Sequence, residues 1–520
     1  MTELFKQQLH TDKIKDNHSK ENLNFQNDYI SIKKKSNYKR FQIKISPAPA
    51  KKGLPHPFYP KIQKIGLFKL LIKELLEINF KLVRKKYRNR LLARPCIYGV
   101  FSGKLGGFHP IRSKCVGCLR CVQEYPDFCT VERNPKFLNF ADSYWAPDSN
   151  SKLASLSTAF STVWYEAESG KILIKGMGYK GSFSDIGWDT IWTDMSEIVR
   201  PTRDGVYGRE FISTIVNIGR KNILVNILEK IEIPSNKQIS LPIIFDYLPD
   251  NINNENIAQS IFKTTTEIQT ACFFTPEQIK KYSINYLNNT SLGIYINKKL
   301  DSKSIKILEH ASIIELDYNI KMDISEIKKI NHKAPIILKI PVKKDIEDLI
   351  CSLAKDGVDG FHLYADYHGQ SFDKEKPKFI IEYIRLIHTK LVEIGVRNQL
   401  TIIVSGGIIS AEHVPKAIIC GADLVAIDTT ILVALQTKFF ADFSNSQSGN
   451  LIQNKFDSKW GSQRLTNLLA SWYNQLIEVL SAMGIRDIRR LRGEVGRAIF
   501  KIDVEKEAFD GIEGFLESQQ

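Results

Sequence analysis

From residue 241 onward the chain repeats one pattern, and that pattern constrains its fold more than any other feature. Eight short apolar runs appear: "LPIIFDYL" (241–248), "EIQTACFF" (267–274), "SLGIYIN" (291–297), "SIIELDY" (312–318), "APIILKI" (334–340), "VDGFHLY" (358–364), "LTIIVSGG" (400–407) and "ADLVAID" (422–428). Helical patterns such as "KDIEDLICSLAKDG" (344–357) and "PKFIIEYIRLIHTKLVEIG" (377–395) lie between most of them. Strands buried on both faces read as continuous apolar runs, and parallel neighbours need a crossover helix between them. Eight such units predict a closed (β/α)₈ TIM barrel, an α/β fold. An open doubly wound sheet is the alternative, but no run is followed by a G-x-G-x-x-G turn.

A barrel of this kind places its chemistry at the C-terminal ends of its strands. Those ends carry Asp246, Phe273, Glu315, Lys339, His362, Ser405, Gly406, Gly407, Asp428 and Thr429. Lys339, Glu315 and His362 are the ionisable candidates for catalysis. Lys339 follows an apolar run, so its charge must face an anion, an electron-rich ring or a carboxylate such as Glu315. Gly406 and Gly407 let backbone N–H groups approach an anion, and Ser405 and Thr429 flank that position with hydroxyls. A plain tight turn is the other reading of the glycine pair.

The formal charge of +16 suggests a polyanion partner until it is located. Residues 1–94 hold 23 Lys/Arg against 7 Asp/Glu, and the remaining 426 residues hold 50 of each sign. The main body is therefore not expected to bind nucleic acid. Residues 1–60 are rich in Asn, Lys, Ser and Pro and are expected to form a disordered, dispensable basic extension. Residues 61–94 are expected to form a basic amphipathic helix, with Phe68, Leu71, Leu75, Ile78 and Leu82 at helical spacing. That helix either packs on the body or lies peripherally on an anionic membrane. Residues 95–235 read as an irregular α+β region, 236–445 as the barrel and 446–520 as a helical segment. The first twenty residues hold no apolar core for a signal peptide, and no run reaches membrane-spanning length, so a cytoplasmic location is expected.

Eight cysteines in 520 residues do not form a secreted disulfide framework. Four of them fall in "CVGCLRCVQEYPDFC", residues 115–129. The spacing of Cys115, Cys118 and Cys121 places three thiolates on one loop, as iron–sulfur binding requires. Tyr125 stands where a bacterial ferredoxin run has its fourth cysteine. The fourth ligand of a [4Fe–4S] cluster would be Cys129, or Cys96 from "ARPCIYGV". Zinc accepts the same four sulfurs, and an unmetallated remnant is the third reading.

Several stretches resemble the FMN domain of the glutamate synthase family. "IIVSGGIISAEHVPKAIICGADLVAIDTTILVAL" (402–435) resembles its FMN phosphate-binding segment. "SIIELDY", "APIILKIP" and "DGVDGFHL" follow the order of its preceding strands. "RLTNLLASWYNQLIEVLSAMGIRDIRRLRG" (464–493) and "SDIGWDTIWTDMSEIVRPTRDGVYGREFIS" (184–213) are similar to its flanking segments, so the likeness covers roughly 180–500. It implies an FMN oxidoreductase, with Ser405, Gly406, Gly407, Asp428 and Thr429 at the phosphate and Lys339 at the ring. Electrons would pass from the cluster to FMN and on to 2-iminoglutarate, formed from 2-oxoglutarate and ammonia. A ferredoxin-like donor would supply the electrons, and free ammonia or a separate glutaminase the nitrogen, because Thr2 rather than a cysteine follows Met1. Three departures stand out. The glycine-rich loop after strand six is replaced by "ADYHGQSFDKEKP" (365–377), Asp428 replaces a glycine, and "LQTKFFADFSNS" (435–446) lacks the family's cluster cysteines. A dihydroorotate-dehydrogenase-like oxidoreductase and a catalytically degenerate barrel acting as a binding module are the rival readings.

Overall fold

The eight apolar runs form eight parallel strands: β1 (Ile243–Phe245), β2 (Cys272–Phe274), β3 (Leu292–Ile296), β4 (Ile313–Asp317), β5 (Ile336–Pro341), β6 (Gly360–Tyr364), β7 (Thr401–Ser405) and β8 (Leu424–Ile427). Each neighbours the strands before and after it in sequence, and β8 pairs with β1 to close the barrel. This computed structural model describes residues 43–51, 54, 56–62, 96–102, 110–124, 129–136, 156–173, 187–193, 212–220 and 236–509, except 288, 290, 300, 321–323, 355–356, 441–449 and 453–454. The expected amphipathic helix, most of the basic extension, Tyr125 and most of the pre-barrel segment lie outside the described residues. Among those described, no helix is long and apolar enough to cross a membrane.

Helices α1 (Glu255–Ile268), α2 (Pro276–Lys281), α3 (Ser302–Leu308), α4 (Ile324–Ile330), α5 (Ile346–Leu353), α6 (Ile380–Glu393), α7 (His413–Ile419) and α8 (Thr429–Ala434) follow the strands in turn. Local capping sets several of their starts. The Asn254 side chain accepts from Ile257 N–H, and Thr275 forms a capping box with Gln278 just before Pro276. Strand burial is complete along β3 and β7, which is why those segments read as unbroken apolar runs. Helix α9 (Ser458–Ala482) packs on α1 and on the helix Leu156–Ser169.

For the described residues within 1–60, the expectation of a structureless extension needs correction. Residues 43–51 dock along α9, and Phe58–Ile62 pairs antiparallel with Cys129–Arg133. Asn467 Nδ2 donates to the Ser46 carbonyl at 2.7 Å, Trp460 Nε1 to Pro49 at 3.0 Å and Arg464 Nη1 to Ala48 at 2.8 Å. Arg464 is fully buried and also donates to the carbonyls of Ala434 and Trp164. Composition favours disorder here, but side chains more than four hundred residues away satisfy the segment's backbone.

At the N-terminal end of the barrel, Asp423 accepts from Ile402 N–H and from Arg397 and Arg492. His388 fits between Gly421 and Gly493, where an added Cβ would come within 2.6 and 2.3 Å of its ring. Burial, then the charges of Arg397 and Arg492, push the His388 pKa down to about 4 from 6.5. A histidine held neutral by the fold contributes stability above its unfolded pKa and loses it as pH falls toward the folded value. Denaturant midpoints should therefore fall between pH 6.5 and 4, and His388→Gln should flatten that decline.

Candidate functional site

Four ionisable side chains converge inside the C-terminal mouth of the barrel. Strand register brings them together: Lys339 lies opposite His362 on one side and Asp317 on the other, while Glu315 lies opposite Ile337 and Tyr295. Asp246, just past β1, accepts from the Lys339 ammonium, and Glu315 Oε2 stands 3.7 Å from the same nitrogen. Glu315 Oε1 accepts from His362 Nδ1, and His362 Nε2 lies 2.9 Å from Ser405 Oγ. Glu315 and His362 are completely buried, and Lys339 and Asp246 nearly so. Lys339, Glu315, His362 and Ser405 thus form one contiguous polar set.

The electrostatics follow from this crowding. Burial disfavours the Asp246 carboxylate, but Lys339 and then His362 outweigh it and hold its pKa below the ordinary value. Burial likewise opposes the charge on Lys339, and Asp246 followed by Glu315 more than restores it, so the ammonium stays protonated. Tyr295 and Tyr364 place their rings 5.2 and 5.6 Å from Lys339 Nζ, as cation–π partners. Within this set, Glu315 Oε2 has no hydrogen-bond partner; it is buried and turned toward Lys339. A carboxylate, an ammonium and an imidazole in one dry mouth can bind an anionic or polar molecule and move a proton to it. Asp246, Glu315 and His362 also offer ligand atoms within 4.8 Å of one another, but the Lys339 ammonium beside two of them repels a cation there.

Gly406 and Gly407 follow β7 with φ of +126° and +66°, conformations that favour glycine. An added Cβ at Gly406 would lie 2.8 Å from Ala365 Cβ, and one at Gly407 would lie 2.8 Å from the His368 carbonyl. The pair is therefore glycine because the loop after β6 packs directly against it. That close approach was invisible in the sequence. Trp188 Nε1 donates to the Gly406 carbonyl at 3.1 Å, and Thr430 Oγ1 donates to the Ile408 carbonyl. A trans peptide points its N–H opposite to its carbonyl, so the Gly407 N–H is turned away from Trp188. Lys416 on α7 donates to the Trp188 carbonyl at 2.9 Å and fixes this support. Nothing in the sequence pattern singled out Trp188.

Asp428 caps α8. Its Oδ1 accepts from both the N–H and the Oγ1–H of Thr429, the latter at 2.9 Å. Burial, then the charge of Asp246, raises its pKa to about 7.

The cysteines of residues 115–129 meet Cys96 as well. Cys96, Cys115, Cys118 and Cys121 line one apolar pocket with Tyr98 and Phe101. Cys129 is buried beside it, hydrogen-bonded to Cys121. Tyr98 meets Tyr165 edge-on at 5.7 Å, and the adjacent Trp164 donates from Nε1 to the Val433 carbonyl of α8 at 2.9 Å. The pocket is thus joined to the barrel through the helix Leu156–Ser169.

Residues 309–486 match the family model described as the conserved region in glutamate synthase. The archaeal glutamate synthase [NADPH] of Methanocaldococcus jannaschii is 37% identical over 122 residues, which is 22% of this chain and 24% of that protein. The archaeal-type glutamate synthase [NADPH] of Dehalococcoides mccartyi is 23% identical over 454 residues, 73% of this chain and 85% of that protein. For the first of these relatives, the match spans about a quarter of its length. Among solved structures, the recombinant flavin-binding domain of baker's yeast flavocytochrome b2 aligns with a TM-score of 0.36 and 14% identity, over 59% of this chain and 80% of that one. The residues that match that family model run from β4 through α9.

Proposed function

We propose that the chain is an oxidoreductase of the glutamate synthase type that binds FMN at the barrel mouth and takes electrons from an iron–sulfur cluster in the cysteine pocket. The buried set of Lys339, Asp246, Glu315 and His362 carries this reading. It supplies a fixed cation and a proton-bearing side chain at the end of the barrel where such enzymes work. The FMN would reduce a small polar substrate; by family likeness this is 2-iminoglutarate, which needs one hydride and one proton to become glutamate.

The residues fit FMN under one condition. At the ring end, the Lys339 ammonium can balance charge on the reduced cofactor, and Glu315 Oε2 has an unused acceptor site. At the phosphate end, the two Thr429 donors are already taken by Asp428. A dianionic phosphate and an ionised Asp428 repel each other, whereas a neutral Asp428 can itself donate to phosphate. The raised pKa makes that neutral form accessible near pH 7. When bound, the FMN supplies hydride transfer. Lys339 holds the countercharge, Glu315 orients His362 through Nδ1, and His362 passes a proton through Nε2 or the Ser405 hydroxyl.

Titrating FMN with protein, followed by flavin fluorescence quenching, tests the reading. Saturable binding is expected, weakening about tenfold per pH unit above pH 7 if only the protonated Asp428 admits phosphate. Asp428→Asn should remove most of that dependence. Absence of saturable binding at every pH would instead favour the degenerate barrel, a binding module without flavin.

A further inference from the structure

Four thiols line the cysteine pocket and a fifth, Cys129, is buried beside it, where a cluster needs four in all. Cys115, Cys118 and Cys121 come from one loop, which turns through two left-handed positions, Gly117 at φ +69° and Leu119 at φ +59°. Gly117 has no room for a side chain, because an added Cβ would lie 2.3 Å from the Phe58 ring. A non-glycine residue held left-handed is the kind of local strain that marks ligand loops. The turns aim backbone N–H groups at sulfur: Gly117 at Cys115, Arg120 at Cys118 and Val122 at Cys121. Such donors favour the thiolate, and they tune iron–sulfur centres.

Cys96 repeats the arrangement from a different segment. Val100 N–H donates to Cys96 Sγ at 3.3 Å, and Cys96 lines the same pocket as the other three. Among the described residues, Cys129 does not line that pocket; its partner is the Cys121 sulfur. Val100 and Phe101 give the pocket apolar walls, and Cys115 and Cys121 are buried; such burial is unfavourable for thiolates without a metal to balance them.

We infer that Cys96, Cys115, Cys118 and Cys121 are the four ligands of one [4Fe–4S] cluster, and that Cys129 stays outside it. Cys96 thereby fills the ligand place left open by Tyr125, from a segment preceding the loop. The inference rests on the reading that electrons enter through this pocket, and it fixes which sulfurs do the holding.

The full chain, purified without oxygen, decides it by iron and acid-labile sulfide content and by EPR after dithionite reduction. Wild-type protein and Cys129→Ser should each carry about four iron and four sulfide per chain, with closely similar spectra. Cys96→Ser should retain less than half of the iron. If Cys96→Ser does not fold, Cys96→Asp keeps an anionic ligand and should hold iron with a clearly altered spectrum; an unchanged spectrum overturns the inference. So do iron loss in Cys129→Ser with retention in Cys96→Ser, stoichiometric zinc in place of iron, and wild-type protein without metal. Iron-free protein that still binds FMN removes this inference alone, whereas cluster-bearing protein that binds no FMN removes only the flavin reading.

Discussion

Replacing Lys339 with methionine is expected to destabilise the protein by about 3–5 kcal/mol at neutral pH, because it leaves Asp246 and Glu315 buried without their cation. Methionine fills much of the same volume, so little of the loss comes from packing. The pH dependence distinguishes this cause from a steric one. In the wild type, the ammonium holds Asp246 below its ordinary pKa, which contributes stability above the unfolded value and loses it on acidification. Without Lys339 the penalty is largest when both carboxylates are ionised and shrinks as they take up protons. Urea midpoints of the two proteins should therefore converge as pH falls from 7 toward the ordinary carboxylate value of about 4. A constant difference across that range would mean that the charge set is not what Lys339 stabilises. The same variant should make any bound flavin harder to reduce, since the reduced ring loses its countercharge.

The second large effect concerns where the N-terminal extension stops being dispensable. Removing residues 1–42 should leave the melting temperature unchanged. Removing residues 1–51 should cost on the order of 3 kcal/mol, because it strips acceptors from Arg464, Asn467 and Trp460 and leaves a buried guanidinium short of a partner. Burial already lowers the Arg464 pKa to about 10, so losing the Ala48 carbonyl makes an unfavourable site worse. Removing residues 1–62 should also release iron, because Phe58–Ile62 is the strand paired with Cys129–Arg133 and Phe58 closes the pocket at Gly117. Thermal melts and iron content of the three truncations check the order. Equal stability of the first two would show that residues 43–51 contribute nothing to the fold.

The barrel was legible because its signals are local. Each strand is a run of β-branched and apolar residues, each helix repeats at its own period, and the count of eight sets closure. Lys339, Glu315, His362 and Ser405 could be chosen because side chains at strand ends must face the mouth. Their pairing could not. Lys339 takes Asp246, 93 residues away, as its nearest carboxylate, and Glu315 goes instead to His362. That choice depends on the stagger of the closed barrel, which no strand carries alone. The same limit hid the reason for Gly406 and Gly407, since the loop that crowds them belongs to the turn after β6. The spacing of Cys115, Cys118 and Cys121 showed that three thiols share a loop, but choosing between Cys96 and Cys129 required knowing which sulfur faces the pocket. The docking of residues 43–51 lay furthest from the sequence signals: its stability resides in hydrogen bonds from helix α9, and composition counts only what a segment can do for itself. Periodicity and spacing set the elements and the end of the barrel where chemistry sits; contacts between residues distant in sequence decided which charges meet, because those energies exist only after the chain has closed.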